Sequence, residues 1–292
     1  MFGEEIRRYI NINPSWVDIV AQVTQHPDRP RPIREKDQIF MLPGSQLIQA
    51  LMVDDYLKYR DVVFVGDGDC MGLVITHLVN QGVIKKGPAK IRILDFDERI
   101  LAFIKQAIID LRLPPDLISC QLYNVRDPIP EDLWGAHDVF YTNPPYGSKD
   151  GGNCGKIFLS RCMELCKPAP SWGVALLPFA HKEDWSRKAM FNIQTFLCSQ
   201  GYVVSEMIRE IHQYHLEDRP SLRSANVVVD RVKNVKPPFE NRKLKNEELV
   251  HFYGSSTELM PDYISKSCKY IFPDGSEKDI LNEPRWREET PK

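Results

Sequence analysis

The sequence predicts an α/β fold: a mostly parallel, doubly wound sheet with an antiparallel hairpin at one edge. Three observations carry that expectation. From about residue 43 to 232, short apolar runs alternate with stretches of helical periodicity, which implies parallel βαβ units with right-handed crossovers. The last two strand-like runs follow one another across a polar loop with no helix between them, as an antiparallel pair does. The composition, 42% hydrophobic and 27% charged over 292 residues, is that of an ordinary globular chain.

Each element has its own signal. The first strand is Val62 to Val65, ending in Gly66-Asp67-Gly68-Asp69, and a helical stretch with Leu73, Ile75, Leu78 and Val79 follows. The second strand is Ile91 to Leu94. An amphipathic helix over about 98–112 places Ile100, Ile104, Ala107, Ile108 and Leu111 on one stripe, the spacing of a half-buried helix. A third strand lies around Ile118–Tyr123 and a fourth at Val139 to Tyr141. A helix at about 156–166, a strand Val174–Phe179 and a helix at about 185–200 come next, before the closing pair Tyr202–Ile211 and Ser224–Val232. This is the pattern of the Rossmann-like class I methyltransferase fold, from which no function follows by itself. The expected organisation is an N-terminal extension (1–42), a Rossmann-like domain (43–232) and a C-terminal extension (233–292).

Composition narrows the function classes. Thirty-eight basic and 40 acidic side chains give a formal charge of −2, which excludes a strongly cationic nucleic-acid coat but permits a local basic patch. The N-terminal MFGEEIRRYININPSW lacks an apolar signal core, and no apolar run is long enough to span a bilayer. Seven cysteines (Cys70, Cys120, Cys154, Cys162, Cys166, Cys198 and Cys268) lack paired CxxC spacing. They are expected to be reduced, mostly structural thiols, with no metal site. The expected compartment is the cytoplasm, the nucleus left open, with no membrane partner.

Ligands of open α/β sheets bind at the carboxyl ends of the strands, so residues just beyond each strand are read together. Gly66, Asp67, Gly68 and Asp69 form a tight acidic turn that does not match GxGxxG. Two acids repel a pyrophosphate, which disfavours NAD, but they suit S-adenosyl-L-methionine with its ammonium and sulfonium. Asp95 ends the second strand and is assigned to the ribose hydroxyls, with Asp97 as a helix cap. Asn124 follows the third strand, where an amide carbonyl can accept from an adenine amine.

After the fourth strand comes Asn143-Pro144-Pro145-Tyr146. Two prolines fix the backbone and leave their carbonyls free. The Asn143 oxygen and the Pro144 carbonyl can take the hydrogens of a planar amine, and Tyr146 can stack on a flat base. The loop 147–156 reads either as a lid or as plain connection. His212, His215, Glu217 and Asp218 cluster between the last two strands, and the basic run from Arg231 to Lys245 reads as a linker or a phosphate-contacting patch.

The stretches DQIFMLPGS, VVFVGDGD, ILDFDERIL, NVRDPIPEDL, DVFYTNPPYGS and IFLSRCMEL, over about residues 33–168, resemble the branched-chain polyamine synthases, the bis(aminopropyl)spermidine synthases. The resemblance implies a Rossmann-like catalytic domain, decarboxylated S-adenosylmethionine as aminopropyl donor, and correspondence of the family's Asp-Gln pair with Asp37 and Gln38. That family's loop reads GDDD and its fourth-strand motif is DPPE-like. Gly68 and the NPPY motif differ, and Asn and Tyr suit a neutral planar amine better than an ammonium. The leading expectation is therefore an S-adenosylmethionine-dependent methyltransferase acting on the exocyclic amine of adenine in nucleic acid. Asn143, Pro144, Pro145 and Tyr146 would be catalytic, with Gln38, Gly66, Asp67, Gly68, Asp69, Asp95 and Asn124 at the cofactor. The alternatives are an aminopropyltransferase making branched polyamines, and a non-catalytic cofactor-binding subunit that recognises nucleic acid or a protein partner.

Overall fold

The computed structural model describes residues 12–180, 183–216, 221–252 and 260–280. Seven strands form one sheet: β1 (Asp61–Val65), β2 (Lys90–Asp95), β3 (Ile118–Leu122), β4 (Val139–Thr142), β5 (Ser171–Pro178), β6 (Tyr202–His212) and β7 (Ser224–Arg231). Their order is β3-β2-β1-β4-β5-β7-β6. Neighbours from β3 to β5 are parallel, while β7 runs antiparallel between β5 and β6. The expected edge hairpin is present, with its second strand turned inward. This is the class I methyltransferase arrangement, as the alternating sequence predicted.

The period of two along β1 sorts its side chains between layers. Val62 and Phe64 join the core beneath α1 (Ser15–Thr24), α2 (Pro43–Leu57), α3 (Met71–Asn80) and α4 (Glu98–Asp110). Val63 and Val65 face α5 (Asn153–Leu165) and α6 (Asp184–Ser199) across the other layer. In α4 the stripe Ile100, Leu101, Ile104, Ala107 and Ile108 is buried. The Asp97 side chain accepts from Arg99 N at 3.0 Å, closing the helix's first turn.

The flanking segments pack onto this frame. Val20 and Val23 of α1 are fully buried against the core, and Leu244 and Phe252 lie with the α5 layer. A second, antiparallel sheet is made of β8 (Tyr263–Ile264), β9 (Lys269–Ile271) and β10 (Glu277–Asp279), in the order β10-β9-β8. It docks beside the end of β2, where Ile264 N donates to Phe96 O at 2.9 Å. Ile264, Tyr270 and Ile280 form a small core with Ile33. Among the described residues no helix is long and apolar enough to cross a membrane, and the seven cysteines are free thiols.

Candidate active site

A cleft opens at the carboxyl ends of β1, β2 and β4, where open α/β sheets bind their ligands. Gly66, Asp67, Gly68 and Asp69 line it from the loop after β1, Asp95 from the end of β2, and Asn143 and Pro145 from the loop after β4. Gln38 and Asp37 close it from the segment preceding α2. Gly66 has φ +71°, and a Cβ there would stand 2.9 Å from the Phe158 ring, so only glycine turns the chain here without strain.

The acids hold one another's loops as well as the space between them. Asp67 accepts from Met71 N at 2.7 Å and Gly72 N at 3.0 Å, capping α3. Its own N–H donates to Asp95 Oδ2 at 2.8 Å, while Asp95 Oδ1 accepts from Asp97 N at 2.9 Å. Asp95 lines the cleft at the end of β2, where a carboxylate can accept from a ribose hydroxyl. Burial, then the neighbouring Asp97 charge, pushes the Asp95 carboxyl up to about 7, and burial raises Asp67 well above the usual carboxylate range. Gln38 donates to Asp97 Oδ2 at 2.9 Å, so this side chain is braced against the cap of α4.

Asp69 joins the two motifs. Its Oδ1 accepts from Met41 N at 2.8 Å and its Oδ2 from Asn143 Nδ2 at 2.8 Å. Burial raises its proton affinity, opposed by the Met41 amide, the Arg29 charge and the Asn143 amide. Arg29 clamps the loop from outside, donating to Gly68 O at 3.1 Å with its guanidinium 3.8 Å above the Phe40 ring. Because Asn143 Nδ2 is committed to Asp69, its Oδ1 is turned away as a free acceptor.

Three of the expected site residues do not line the cleft. Pro144 is buried behind Asn143. Tyr146 sits half-buried beside it, its hydroxyl 3.1 Å from that of Tyr214. Asn124 donates to the carbonyls of Pro261 and Asp262 at 3.0 and 2.9 Å and accepts from Arg126 N at 3.0 Å, which occupies the amide in holding the segment before β8. The walls that the sequence did not announce are aromatic: Phe40, Phe96, Tyr141 and Phe158. Phe96 had a signal, lying between Asp95 and Asp97 at a strand end.

The other polar clusters take structural places. His212 is fully buried and bonded to Ser224 Oγ at 2.7 Å and Gln49 Oε1 at 2.8 Å, while Glu217 and Asp218 lie outside the described residues. Burial lowers the His212 imidazole to about 3 from 6.5. The unfolded ring therefore gains a proton below about pH 6.5 while the folded one stays neutral. Stability present above that pH drains as pH falls towards 3. The stability advantage of wild type over His212→Gln should shrink by about 2 kcal/mol between about pH 8 and pH 5, read from urea midpoints. A constant advantage would mean that the ring is not held neutral. In the basic run, Lys236 pairs with Glu240, Arg242 with Glu248 and Lys243 with Asp127, so much of its charge is answered within the chain.

Strand order and cleft together define the Rossmann-like class I methyltransferase fold, with its cleft at the strand ends. Residues 18–259 match the family model described as the branched-chain polyamine synthase A C-terminal domain, and the chain belongs to that family. An uncharacterised protein of Methanocaldococcus jannaschii is 30% identical over 71% of this chain and 49% of its own length. The N(4)-bis(aminopropyl)spermidine synthase of Thermus thermophilus is 27% identical over 64% of this chain and 50% of its own. The chain thus spans about half the length of these relatives. The crystal structure of a branched-chain polyamine synthase mutein from Thermus thermophilus, in complex with N4-aminopropylspermidine and 5′-methylthioadenosine, superposes with a TM-score of 0.66. It shares 21% identity, over 82% of this chain and 70% of that one.

Two expectations are overturned, methylation of an adenine amine and nucleic acid as the partner: relatives from Thermus thermophilus, Methanocaldococcus jannaschii and Thermococcus kodakarensis are each named N(4)-bis(aminopropyl)spermidine synthase. The physical reason lies in Asp69. The NPPY motif in isolation lacks an acid, but in the fold a buried carboxylate stands at its Asn143.

Proposed function

We propose that this chain is the catalytic domain of an aminopropyltransferase that places the aminopropyl group of decarboxylated S-adenosylmethionine on an amine of a polyamine. The observation that carries the reading is the Asp69–Asn143 contact at 2.8 Å, which puts a carboxylate with raised proton affinity at the amine-orienting motif. The donor fits the residues present: its sulfonium and ammonium would lie among acidic side chains, and Asp95 would accept from its ribose hydroxyls. When bound, it supplies a propylamine carbon joined to a sulfonium leaving group.

The remaining chemistry belongs to side chains. A polyamine nitrogen is an ammonium at neutral pH and attacks only after losing a proton. Asp69 takes that proton, and its burial makes the transfer easier than to an ordinary surface carboxylate. Asn143 Oδ1 accepts a remaining N–H and holds the lone pair in line, so catalysis rests on positioning and proton acceptance. Nitrogen–carbon bond formation and carbon–sulfur cleavage then balance, with the thioether leaving neutral. The test is donor preference by calorimetry, decarboxylated against carboxylated, with mass spectrometry of spermidine for added aminopropyl groups. Preferred binding of the decarboxylated donor with transfer is the expected result. Binding without transfer would reduce the chain to a cofactor-binding subunit.

A further inference from the structure

Behind the NPPY loop runs a buried line of hydrogen bonds that the proposed chemistry does not use. Tyr146 OH meets Tyr214 OH at 3.1 Å, Tyr214 OH meets Ser224 Oγ at 2.6 Å, and Ser224 Oγ meets His212 Nδ1 at 2.7 Å. His212 Nε2 meets Gln49 Oε1 at 2.8 Å, and Gln49 Nε2 donates to Asn226 Oδ1 at 2.9 Å. Gln49, His212, Ser224 and Asn226 are fully buried. The line joins α2, the end of β6, the start of β7 and the loop after β4.

Counting protons gives the line a direction. With Gln49 Nε2 engaged by Asn226, Gln49 Oε1 faces the imidazole, and an amide oxygen only accepts. His212 Nε2 therefore carries the ring proton. The ring is neutral, so Nδ1 is bare and must accept from Ser224. A serine hydroxyl has one proton, already spent, so Tyr214 donates to Ser224, and by the same count Tyr146 donates to Tyr214. Burial keeps the Tyr146 phenol protonated, pushed up to about 12.

We infer that this line makes Tyr146 an acceptor-only group at the edge of the cleft, selecting an acceptor that presents N–H, with Tyr214, Ser224, His212 and Gln49 as positioning residues. The substrate class rests on the aminopropyltransferase reading; the direction of the line does not. Tyr146 follows Asn143 and Pro145, which line the cleft. Its only proton points inward, so its lone pairs are what it offers a passing ammonium. With the proton on His212 Nδ1 every hydroxyl would turn round, and Tyr146 would aim a proton at the cleft and oppose an N–H donor.

Two measurements test this. Nitrogen-15 NMR of the full chain should show His212 neutral and protonated on Nε2 from about pH 5 to 8; an Nδ1-protonated ring overturns the inference whatever the enzyme turns over. With decarboxylated donor and spermidine, Tyr146→Phe and Tyr214→Phe should each raise the acceptor KM about tenfold or more and leave donor affinity unchanged by calorimetry. Ser224→Ala should follow them and Ser224→Thr should stay near wild type. An acceptor KM unmoved by Tyr214→Phe, or a matching loss of donor affinity, overturns it. Absence of any aminopropyl transfer would defeat the proposed function instead, and the ring tautomer would still decide the line's direction.

Discussion

Asp69→Asn should lower kcat for aminopropyl transfer by about 10²–10⁴-fold, the usual worth of a positioned general base, while donor affinity changes far less. The substitution is nearly isosteric. Asn143 can turn its amide so that its oxygen accepts from the new NH2, which keeps the 2.8 Å contact between the two loops. What disappears is the basic oxygen whose burial raised its proton affinity, together with the Asn143 oxygen that faced the amine before the amide turned. The deficit should shrink as pH rises, because more of the acceptor amine is then already deprotonated. Steady-state kinetics from about pH 7 to 9.5 read both effects. A variant with wild-type kcat at neutral pH would remove Asp69 from proton transfer and leave it a loop brace.

Arg161→Met should cost about 3–5 kcal/mol of stability, by stranding a buried carboxylate. Arg161 and Glu164 have no exposed side-chain surface and meet at 2.6 Å. Arg161 also donates to Val125 O at 2.9 Å and to Arg242 O at 2.7 Å, while Glu164 accepts from Asn241 N at 3.0 Å. The pair thus ties the chain after β7 to α5 and to the loop after β3. Urea unfolding of Arg161→Met and of Arg161→Met/Glu164→Leu measures it. The double variant should regain part of the loss, because no unpaired charge remains, while the Val125 and Arg242 carbonyls and the Asn241 N–H still lose their partners. A single variant within about 1 kcal/mol of wild type would contradict this.

The fold was legible because its signals are local. Val62 to Val65 and Val139 to Tyr141 are short runs buried on both faces, and the Ile100–Ile108 stripe of α4 needs only the helical period. Asp95 and Asp97 separated correctly by register: one ends β2 in the cleft, the other caps α4. Strands β8 to β10 escaped notice because runs of two or three residues carry no period. Asn124 was assigned towards adenine because nothing near it in sequence reveals the carbonyls of Pro261 and Asp262.

The function is hidden from the sequence for a related reason. Asn143 and Tyr146 invite a planar amine when read beside their neighbours alone, and the acid that changes their chemistry enters from 74 residues earlier. The line behind Tyr146 is longer-ranged still, with Gln49 bonded to a residue 177 positions on. Spacing within a motif cannot show such partners; the crossovers of the sheet bring them together.

The most direct test of the account is calorimetric competition between decarboxylated and carboxylated S-adenosylmethionine on the wild-type chain. A carboxylate carried into a cleft walled by the acids Asp37, Asp67, Asp69 and Asp95 must shed its hydration there, a cost that the decarboxylated donor does not meet. The decarboxylated donor should therefore bind at least about tenfold more tightly. Equal affinity, or preference for the carboxylated form, would contradict the aminopropyltransferase reading.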